Sequence, residues 1–369
     1  MMSRPFDDFF AGRRVLLTGH TGFKGAWLSL WLQHLGASVT GLSLPPEDGR
    51  PSLFTDAHVA DGMDSQFGDI RDVAAVQRVV DTARPEIILH LAAQSLVRRS
   101  YRAPLETFST NVMGTAHVLD SARNAANLQA VVVVTSDKCY DNREQSHRYR
   151  EDEPMGGHDP YSASKGCAEL VTSSYRRSFG GDDGARIASA RAGNVIGGGD
   201  WAEDRLVPDL MRAAARGGSV ALRCPQATRP WQHVFEPLRG YLMLARALCE
   251  RAPNAASAWN FGPAPRDARR VSDVVAMLQR SWPAIRVHQE TQSVDVHEAQ
   301  LLELDASRAQ RELGWSPILP LEDALQATAD WYRRYFADAA GLADRVANDL
   351  RAYETRWIAS AASSSAAAC

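Results

Sequence analysis

The stretch TGHTGFKG, residues Thr18 to Gly25, follows the apolar run Val15-Leu16-Leu17 and precedes a second apolar segment. This order indicates a strand, a tight turn and a helix. Gly19 and Gly22 remove side chains where the chain turns and where a pyrophosphate touches the backbone, and Gly25 lets the helix pack closely on the sheet. Free N–H groups at the helix start favour an anion. The pattern predicts a dinucleotide-binding turn, with an ordinary structural turn as the alternative.

The first half of the chain alternates between strand and helix patterns. The continuous β-branched run at 131–134 is typical of a parallel strand covered on both faces. Further strands are expected at 37–44 and 86–91, and helices at 72–83 and 105–124. The alternation predicts an α/β fold: a doubly wound parallel sheet of the Rossmann type with a smaller, interleaved C-terminal substrate-binding lobe. Ligands of such sheets bind beyond the carboxyl ends of the strands.

The pattern becomes irregular past residue 190, where glycines and prolines interrupt shorter elements. We therefore predict a dinucleotide-binding domain at 12–190 with late strands from about 225–262, a substrate-binding lobe at 191–224 and 263–350, and a flexible low-complexity tail at 359–369.

Composition excludes several classes of partner. A net charge of −3 offers no basic field for nucleic acid or an anionic membrane. The acidic N-terminus MMSRPFDDFF does not resemble a signal peptide, and no apolar run is long enough to span a membrane, so a cytoplasmic location is expected. The five cysteines and ten histidines show no metal-ligand spacing, which predicts no metal site.

Tyr161 and Lys165 form the first chemical motif, in the segment YSASK that follows Pro160. A spacing of four places both side chains on one face of a helix. A tyrosine can act as a base only if its phenolate is stabilised, and an ammonium one turn away would lower its pKa. The alternative is a surface Tyr/Lys pair on an amphipathic helix.

The glycine turn, the YxxxK motif and the strand end Thr135-Ser136 together resemble the extended short-chain dehydrogenase/reductase family, over about residues 12 to 350. The resemblance implies that Ser136, Tyr161 and Lys165 are catalytic. It also implies a structural role for Asn111. The residues that it places against the cofactor are Gly19, Thr21, Gly22, Phe23, Lys24, Asp69, Ile70, Leu91, Ala92, Ala93, Tyr161 and Lys165.

Asp137 and Lys138 distinguish this chain from simple reductases and epimerases, which need only the hydroxyl, the tyrosine and the lysine. The nucleotide-sugar 4,6-dehydratases of the family carry Thr-Asp-Glu here, with the Asp as acid and the Glu as base. The stretch TSDKCYDN, with Lys138 in place of the Glu, is similar to the group that acts on CDP-glucose. A salt-bridged Asp137/Lys138 turn is the alternative.

The same group resemblance extends to RAGNVIGGGDWAEDRLVPD and RPWQHVFEP. By position it implies that Asn194 and Arg205 contact the sugar and nucleotide and that Arg229 binds the pyrophosphate, although Arg229 could instead pair with a nearby acid. His297, in HEAQLLELDASRAQRELGWSP, remains an open candidate.

The implied reaction is a hydro-lyase reaction that converts CDP-glucose to CDP-4-keto-6-deoxyglucose and water. Lys138 would remove the C5 proton and Asp137 would donate to the C6 hydroxyl, which requires a lowered pKa for Lys138 and a raised one for Asp137. The alternatives are a dehydratase or 4-epimerase for another nucleotide sugar and a non-catalytic nucleotide-sensing scaffold. The resemblance further implies deoxysugar biosynthesis, as for lipopolysaccharide O-antigen.

The residues themselves and the family resemblance point to different cofactors. Ser43-Leu44-Pro45 lacks the acid that usually binds the ribose of NAD, and His20 and Lys24 could favour a 2′-phosphate, so the residues favour NADP. The resemblance implies NAD. It also implies a homodimer or homotetramer paired through the helices at 105–124 and 161–179.

Overall fold

A seven-stranded parallel sheet forms the centre of the molecule in the computed structural model, which describes residues 5–180, 184–289 and 301–367. Its strand order is β12-β7-β5-β4-β1-β2-β3. The strands of the described chain are β1 Arg14–Thr18, β2 Ser38–Ser43, β3 Asp64–Phe67, β4 Ile87–His90, β5 Ala130–Val134, β6 Arg148–Tyr149, β7 Arg186–Ala192, β8 Val195–Ile196, β9 Val220–Leu222, β10 Thr228–Pro230, β11 Gln232–His233, β12 Ala258–Phe261, β13 Ala268–Arg270, β14 Val287–Gln289 and β15 Glu303–Leu304.

Helices cover both faces of this sheet, which confirms the predicted doubly wound α/β fold. They are α1 Phe23–His34, α2 Leu53–Asp56, α3 Val73–Ala83, α4 Val97–Arg102, α5 Pro104–Phe108, α6 Gly114–Arg123, α7 Pro160–Phe179, α8 Leu206–Ala215, α9 Phe235–Cys249, α10 Val271–Ser281, α11 Ser307–Leu313, α12 Leu321–Ala337 and α13 Leu342–Ala367. The helix expected at 105–124 contains a π-helical turn, Ser109–Met113, between α5 and α6.

The β-branched run of β5 explains why the sheet is covered on both sides. Val132 and Val134 point into the larger core, whereas Val131 and Val133 point into a second core on the opposite face. Alternation of side chains along a strand produces this division. Each such valine, once buried, contributes on the order of 1.5–3 kcal/mol, so β5 anchors both layers.

The glycine triplet Gly197-Gly198-Gly199 is packed tightly between elements. The indole Nε1 of Trp27 in α1 donates to the Gly198 carbonyl at 2.8 Å, and a side chain on Gly198 would overlap the ring of Trp331 in α12. Tyr332 donates to the carbonyl of Asp200 just beyond the triplet. The triplet therefore joins the first and the penultimate helix of the chain.

Within the described residues, four two-stranded sheets accompany the main sheet, and the later part of the chain contributes β12 to the main sheet and at least one strand to each small sheet. The predicted division into domain and lobe stays a prediction. The predicted tail at 359–369 falls largely within α13, which ends at Ala367, and His297 lies outside the described residues. Among the helices described, none combines the length and apolarity that crossing a membrane requires.

Candidate active site

A single cavity of about 740 Å³ at the carboxyl ends of the sheet strands is lined by every site residue that the sequence predicted. These residues are Gly19, Thr21, Gly22, Phe23, Lys24, Asp69, Ile70, Leu91, Ala92, Ala93, Ser136, Asp137, Lys138, Tyr161, Lys165, Asn194, Arg205 and Arg229. The fold thus brings together groups that are far apart in the chain. Their individual roles stay predictions.

The glycine turn forms a close-fitting bend between β1 and α1. Gly19 has a φ of 79°, and a Cβ there would lie 2.7 Å from the backbone nitrogen of Ala92. A Cβ on Gly25 would overlap the Gly19 carbonyl oxygen. No side chain caps the N-terminus of α1 at Gly22, so its first N–H groups face the cavity. This turn fits the pyrophosphate of a dinucleotide.

Hydroxyl groups lie at the end of β2, where the usual ribose-binding acid is missing. The Thr21 hydroxyl is 2.7 Å from that of Ser43 and donates to the Leu44 carbonyl at 2.9 Å. Asp69 accepts from the Arg71 guanidinium Nε at 2.8 Å, so this arginine already has a carboxylate partner. Ribose hydroxyls fit such a site through neutral hydrogen bonds.

His20 is held neutral by burial, and the Lys24 amine is directed toward Tyr241 rather than toward the end of β2, so neither suits a 2′-phosphate. His20 is fully buried, its Nε2 lies 2.8 Å from the Ser65 hydroxyl, and burial lowers its pKa to about 4. Burial, reinforced by the charge of Arg205, lowers the pKa of Lys24 to about 7. The Lys24 amine donates to the Tyr241 hydroxyl at 3.5 Å. The argument for NADP from these two residues is therefore wrong.

Helix α7 presents Tyr161 and Lys165 on one face, as the spacing predicted. Asp159 caps the helix by accepting from the Ser162 backbone N–H at 3.0 Å, which stabilises the turn that carries Tyr161. The Lys165 amine donates to the Val134 carbonyl at 3.3 Å, and burial lowers its pKa to about 8.

The pKa of Tyr161 moves in the opposite direction from the one expected. Burial raises it to about 12, while the hydrogen bond with the Ser136 hydroxyl opposes the rise. We expected the nearby lysine to lower it, but desolvation of the phenolate is the larger effect in this pocket. Base catalysis by Tyr161 therefore depends on additional positive charge, such as that of an oxidised nicotinamide.

Asp137 follows β5 and starts a short 3-10 turn, Asp137–Cys139. The Ser136 hydroxyl donates to its Oδ1 at 2.9 Å, and its buried Oδ2 has no hydrogen-bond partner within the described residues. Burial raises the pKa of Asp137, although the charge of Lys138 opposes this. The direction agrees with the expectation for a proton donor. Lys138 itself is half-buried and lines the same cavity.

The two arginines expected to bind substrate, Arg205 and Arg229, line the same cavity. Arg205 precedes α8, where it donates to Asp200 Oδ2 at 3.1 Å and to the Ser95 hydroxyl at 3.3 Å. Arg229 is buried in β10, and its charge opposes the rise that burial causes in the pKa of Asp137. Asn194 lies just after β7. These positions suit an anionic ligand beside the reacting groups.

Sequence reasoning missed the buried ion pair behind the site. Glu169 accepts from Arg191 at 2.8 Å, from the Ser189 hydroxyl at 2.7 Å and from the Thr135 hydroxyl at 2.5 Å. The available signal was its spacing, since Glu169 lies four residues after Lys165 on the same face of α7.

Asn111 connects the cofactor side to the catalytic helix. Its Oδ1 accepts from the backbone N–H of Gln94 at 2.8 Å, and its Nδ2 donates to the Ser164 hydroxyl at 2.8 Å. This agrees with the implied structural role. In the described ranges, no three histidine, cysteine, aspartate or glutamate side chains are grouped so that they could hold a metal ion.

Comparison with known proteins gives matches over most of the chain. A family model described as GDP-mannose 4,6 dehydratase matches residues 16–328. The chain is 48% identical over 333 residues to a CDP-glucose 4,6-dehydratase of Salmonella typhimurium, covering 89% of this chain and 92% of the relative. It is 29% identical over 330 residues to a dTDP-glucose 4,6-dehydratase of Streptomyces griseus, with 87% and 94% coverage.

Among solved structures, a dTDP-glucose 4,6-dehydratase double mutant from Streptomyces venezuelae with NAD bound superposes with a TM-score of 0.74. It is 25% identical, and the alignment covers 87% of this chain and 97% of the other. A UDP-glucose 4-epimerase of Thermotoga maritima has the same TM-score of 0.74 at 21% identity, which indicates a shared fold alone.

Proposed function

Because the chain belongs to the nucleotide-sugar 4,6-dehydratases of the extended short-chain dehydrogenase/reductase family, we propose that it is a CDP-glucose 4,6-dehydratase. The observation that carries this proposal is the position of Asp137 and Lys138, which line the cavity beside Ser136 and Tyr161. Hydride transfer at C4 needs only a hydroxyl, a tyrosine and a lysine. An additional acid and an additional amine provide for elimination of water across C5 and C6.

NAD is the cofactor that the site fits. The tight turn at Gly19 and Gly25, the uncapped start of α1 and the hydroxyls of Thr21 and Ser43 suit a dinucleotide whose ribose carries no phosphate. A bound NAD would supply the hydride acceptor for C4 of the sugar and the hydride donor for C6, so that the overall reaction would be redox-neutral.

The chain's own residues carry out the proton transfers. Tyr161 removes the proton from the C4 hydroxyl, and Ser136, which is hydrogen-bonded to Tyr161, holds the same oxygen. Lys165 stabilises the phenolate from one turn further along α7. A bound oxidised nicotinamide ring would add positive charge that offsets the effect of burial on the pKa of Tyr161.

Elimination follows from the acidity that a C4 ketone confers on the C5 hydrogen. Lys138 removes this proton, and Asp137, whose burial raises its pKa and favours the protonated form, donates to the departing C6 hydroxyl. The unpartnered Oδ2 of Asp137 is available for that hydrogen bond.

The test is an incubation of the purified protein with NAD and, separately, CDP-, dTDP-, GDP- and UDP-linked hexoses in deuterated water, followed by NMR. The expected result is a new C6 methyl signal and deuterium at C5 with CDP-glucose alone. Inversion at C4 with the C6 hydroxyl retained would make the protein a 4-epimerase. Dehydration of another nucleotide sugar in preference to CDP-glucose would refute the nucleotide assignment.

The same proposal includes a homodimer or homotetramer. Apolar side chains that face solvent on the helical segments at 105–124 and 161–179 support pairing there: Leu105 is 84% exposed, Leu170 61% and Met113 51%. The variant Leu170→Glu should lower the mass measured by light scattering, whereas the control Phe67→Glu, at an exposed position on β3, should not. Unchanged mass for Leu170→Glu would exclude this face.

Cytoplasmic location and a place in deoxysugar synthesis for lipopolysaccharide O-antigen complete the proposal. They are supported by the CDP-sugar chemistry and by the resemblance. Deleting the gene should remove from the O-antigen the deoxyhexoses made from the CDP-linked 4-keto product, as measured by sugar analysis of purified lipopolysaccharide, and an unchanged composition would refute the pathway assignment.

A further inference from the structure

One part of the cavity, lined by residues outside the glycine turn, has an apolar wall that contains two opposite charges. Its wall is formed by the start of α8 and by β9 with the residue that follows it, and the side chains that matter here are Leu206, Val207, Asp209, Val220, Leu222 and Arg223. None of these residues belongs to the turn that fits the dinucleotide or to the reacting groups. The mechanism described above therefore leaves this part without a role.

The proposed function assigns an occupant to this part of the cavity, and the inference rests on it. If the sugar lies against Tyr161 and its diphosphate lies near Arg205 and Arg229, the nucleoside must extend away from the glycine turn. The apolar side chains of Leu206 and Leu222 provide surfaces for the flat face of a base. The edge of that base then meets the polar side chains of the same wall.

Asp209 offers a hydrogen-bond acceptor at this edge. Its Oδ1 accepts from Arg212 one turn along α8, and no hydrogen bond to its Oδ2 occurs within the described residues. Burial and the charge of Asp204 raise the pKa of Asp209, while the guanidinium groups of Arg212 and Arg223 oppose this rise. One carboxylate oxygen is thus fixed by the protein and the other is available to a ligand.

Arg223 offers donors next to this carboxylate. Its side chain is mostly buried, and its Nη2 forms an ion pair with Asp204 Oδ1 at 3.5 Å. Beyond that contact, its N–H groups donate no hydrogen bond in the part of the chain that is described. An acceptor and a fork of donors therefore lie side by side.

We propose that Asp209 and Arg223 select cytosine, with the Asp209 carboxylate accepting from the exocyclic N4 amino group and the Arg223 guanidinium donating to N3 and O2. Cytosine presents one donor beside two acceptors along this edge. Uracil and thymine present an O4 acceptor and an N3–H donor instead. The O4 acceptor would then face the Asp209 carboxylate, and the N3–H donor would face the Arg223 guanidinium. Cytosine is recognised because its polar groups are paired. Uracil and thymine are rejected because their O4 and N3–H would be left without hydrogen-bond partners.

The test compares CDP-glucose with UDP-glucose in Asp209→Asn. The asparagine amide can donate to O4 of uracil, so we expect the ratio of kcat/KM for CDP-glucose over UDP-glucose to fall by about 10- to 100-fold, with turnover of UDP-glucose rising. The matched control Asp273→Asn changes an exposed acid in the first turn of α10 and should leave the ratio unchanged.

Inhibition by CDP and by UDP gives a second measurement that does not depend on turnover. Arg223→Met should weaken CDP inhibition by about tenfold, because two acceptors of the base lose their donor. A wild-type ratio of CDP to UDP inhibition constants that persists in Asp209→Asn would overturn the assignment of Asp209. Unchanged CDP inhibition in Arg223→Met would overturn that of Arg223.

These outcomes are separable from failure of the proposed function. If the wild-type protein does not dehydrate CDP-glucose, the proposed function fails before any variant is made. If the wild type prefers CDP-glucose and Asp209→Asn keeps that preference, the function stands and cytosine selection by this wall is wrong.

Discussion

Replacing Arg191 with methionine should destabilise the protein strongly, although Arg191 donates no hydrogen bond to any proposed catalytic group. The guanidinium and the Glu169 carboxylate are each only 4% exposed and lie 2.8 Å apart. Arg191 also donates to the Tyr140 hydroxyl at 2.7 Å and to the Glu151 carbonyl at 3.1 Å. Arg191→Met would leave a charged carboxylate buried with hydroxyl partners alone.

Leaving one member of a buried ion pair without its partner costs about 3–5 kcal/mol. At a urea m-value of about 3 kcal/mol per M, this loss lowers the unfolding midpoint by about 1 M or more. Unfolding in urea, followed by tryptophan fluorescence and by circular dichroism, measures the shift. The control Arg333→Met removes a surface pair with Asp330, whose partners are 52% and 40% exposed. It should change the free energy of unfolding by less than about 1 kcal/mol.

The double variant Glu169→Gln/Arg191→Met identifies the cause. Glutamine keeps an acceptor for the hydroxyls of Thr135 and Ser189 but carries no charge, so the double variant should regain about 1–3 kcal/mol relative to Arg191→Met. A double variant no more stable than the single one would show that lost packing, rather than an uncompensated charge, causes the destabilisation. A loss below about 1 kcal/mol in Arg191→Met would refute the argument entirely.

Four further predictions concern catalysis, pH and cofactor binding. Tyr161→Phe should lower kcat for CDP-glucose by about 100- to 10,000-fold in a steady-state assay, and near-normal kcat would remove this residue from its role as base. Asp137→Asn should accumulate reduced nicotinamide, seen by absorbance, because C4 oxidation continues while elimination slows by at least about 100-fold; unaltered product formation would contradict this. The hydrogen bond that the His34 imidazole donates to the Glu354 carboxylate raises the pKa of His34 above 6.5. The pair therefore stabilises the fold fully below about pH 6.5, and this stabilisation is lost as pH rises through the folded pKa. Its exposed imidazole limits the effect to under about 1 kcal/mol, and His34→Gln should remove that part of the pH dependence of the unfolding midpoint. Gly25→Ala should weaken NAD binding at least about tenfold by calorimetry because the methyl group overlaps the glycine turn; wild-type affinity would show that the turn can relax.

The sequence was sufficient to predict the parallel sheet and the candidate site residues that line the cavity. The run at 131–134 predicted a doubly covered strand because its valines must alternate between two faces, and the two separate cores confirm it. The YxxxK spacing and the strand ends predicted that Ser136 and Tyr161 would meet, because parallel strands end at a common edge.

The pKa values of the buried site residues could not be predicted from the sequence. The pKa of Tyr161 depends on how deeply the phenol is buried, and neighbours alone suggested the wrong direction. His20 looked like a cation near a phosphate, yet it is directed toward Ser65 in an apolar setting that keeps it neutral. Burial depends on packing by distant segments, so no local motif encodes it.

The glycine triplet at 197–199 has a consequence for how the enzyme handles its substrate. Because Trp27 and Trp331 hold it from two distant helices, this wall of the cavity cannot swing outward without breaking aromatic packing on both sides. The distance from the glycine turn to this wall of the cavity is then set before any ligand binds. Binding therefore spends little free energy on ordering this wall, and more of the interaction free energy is left for affinity.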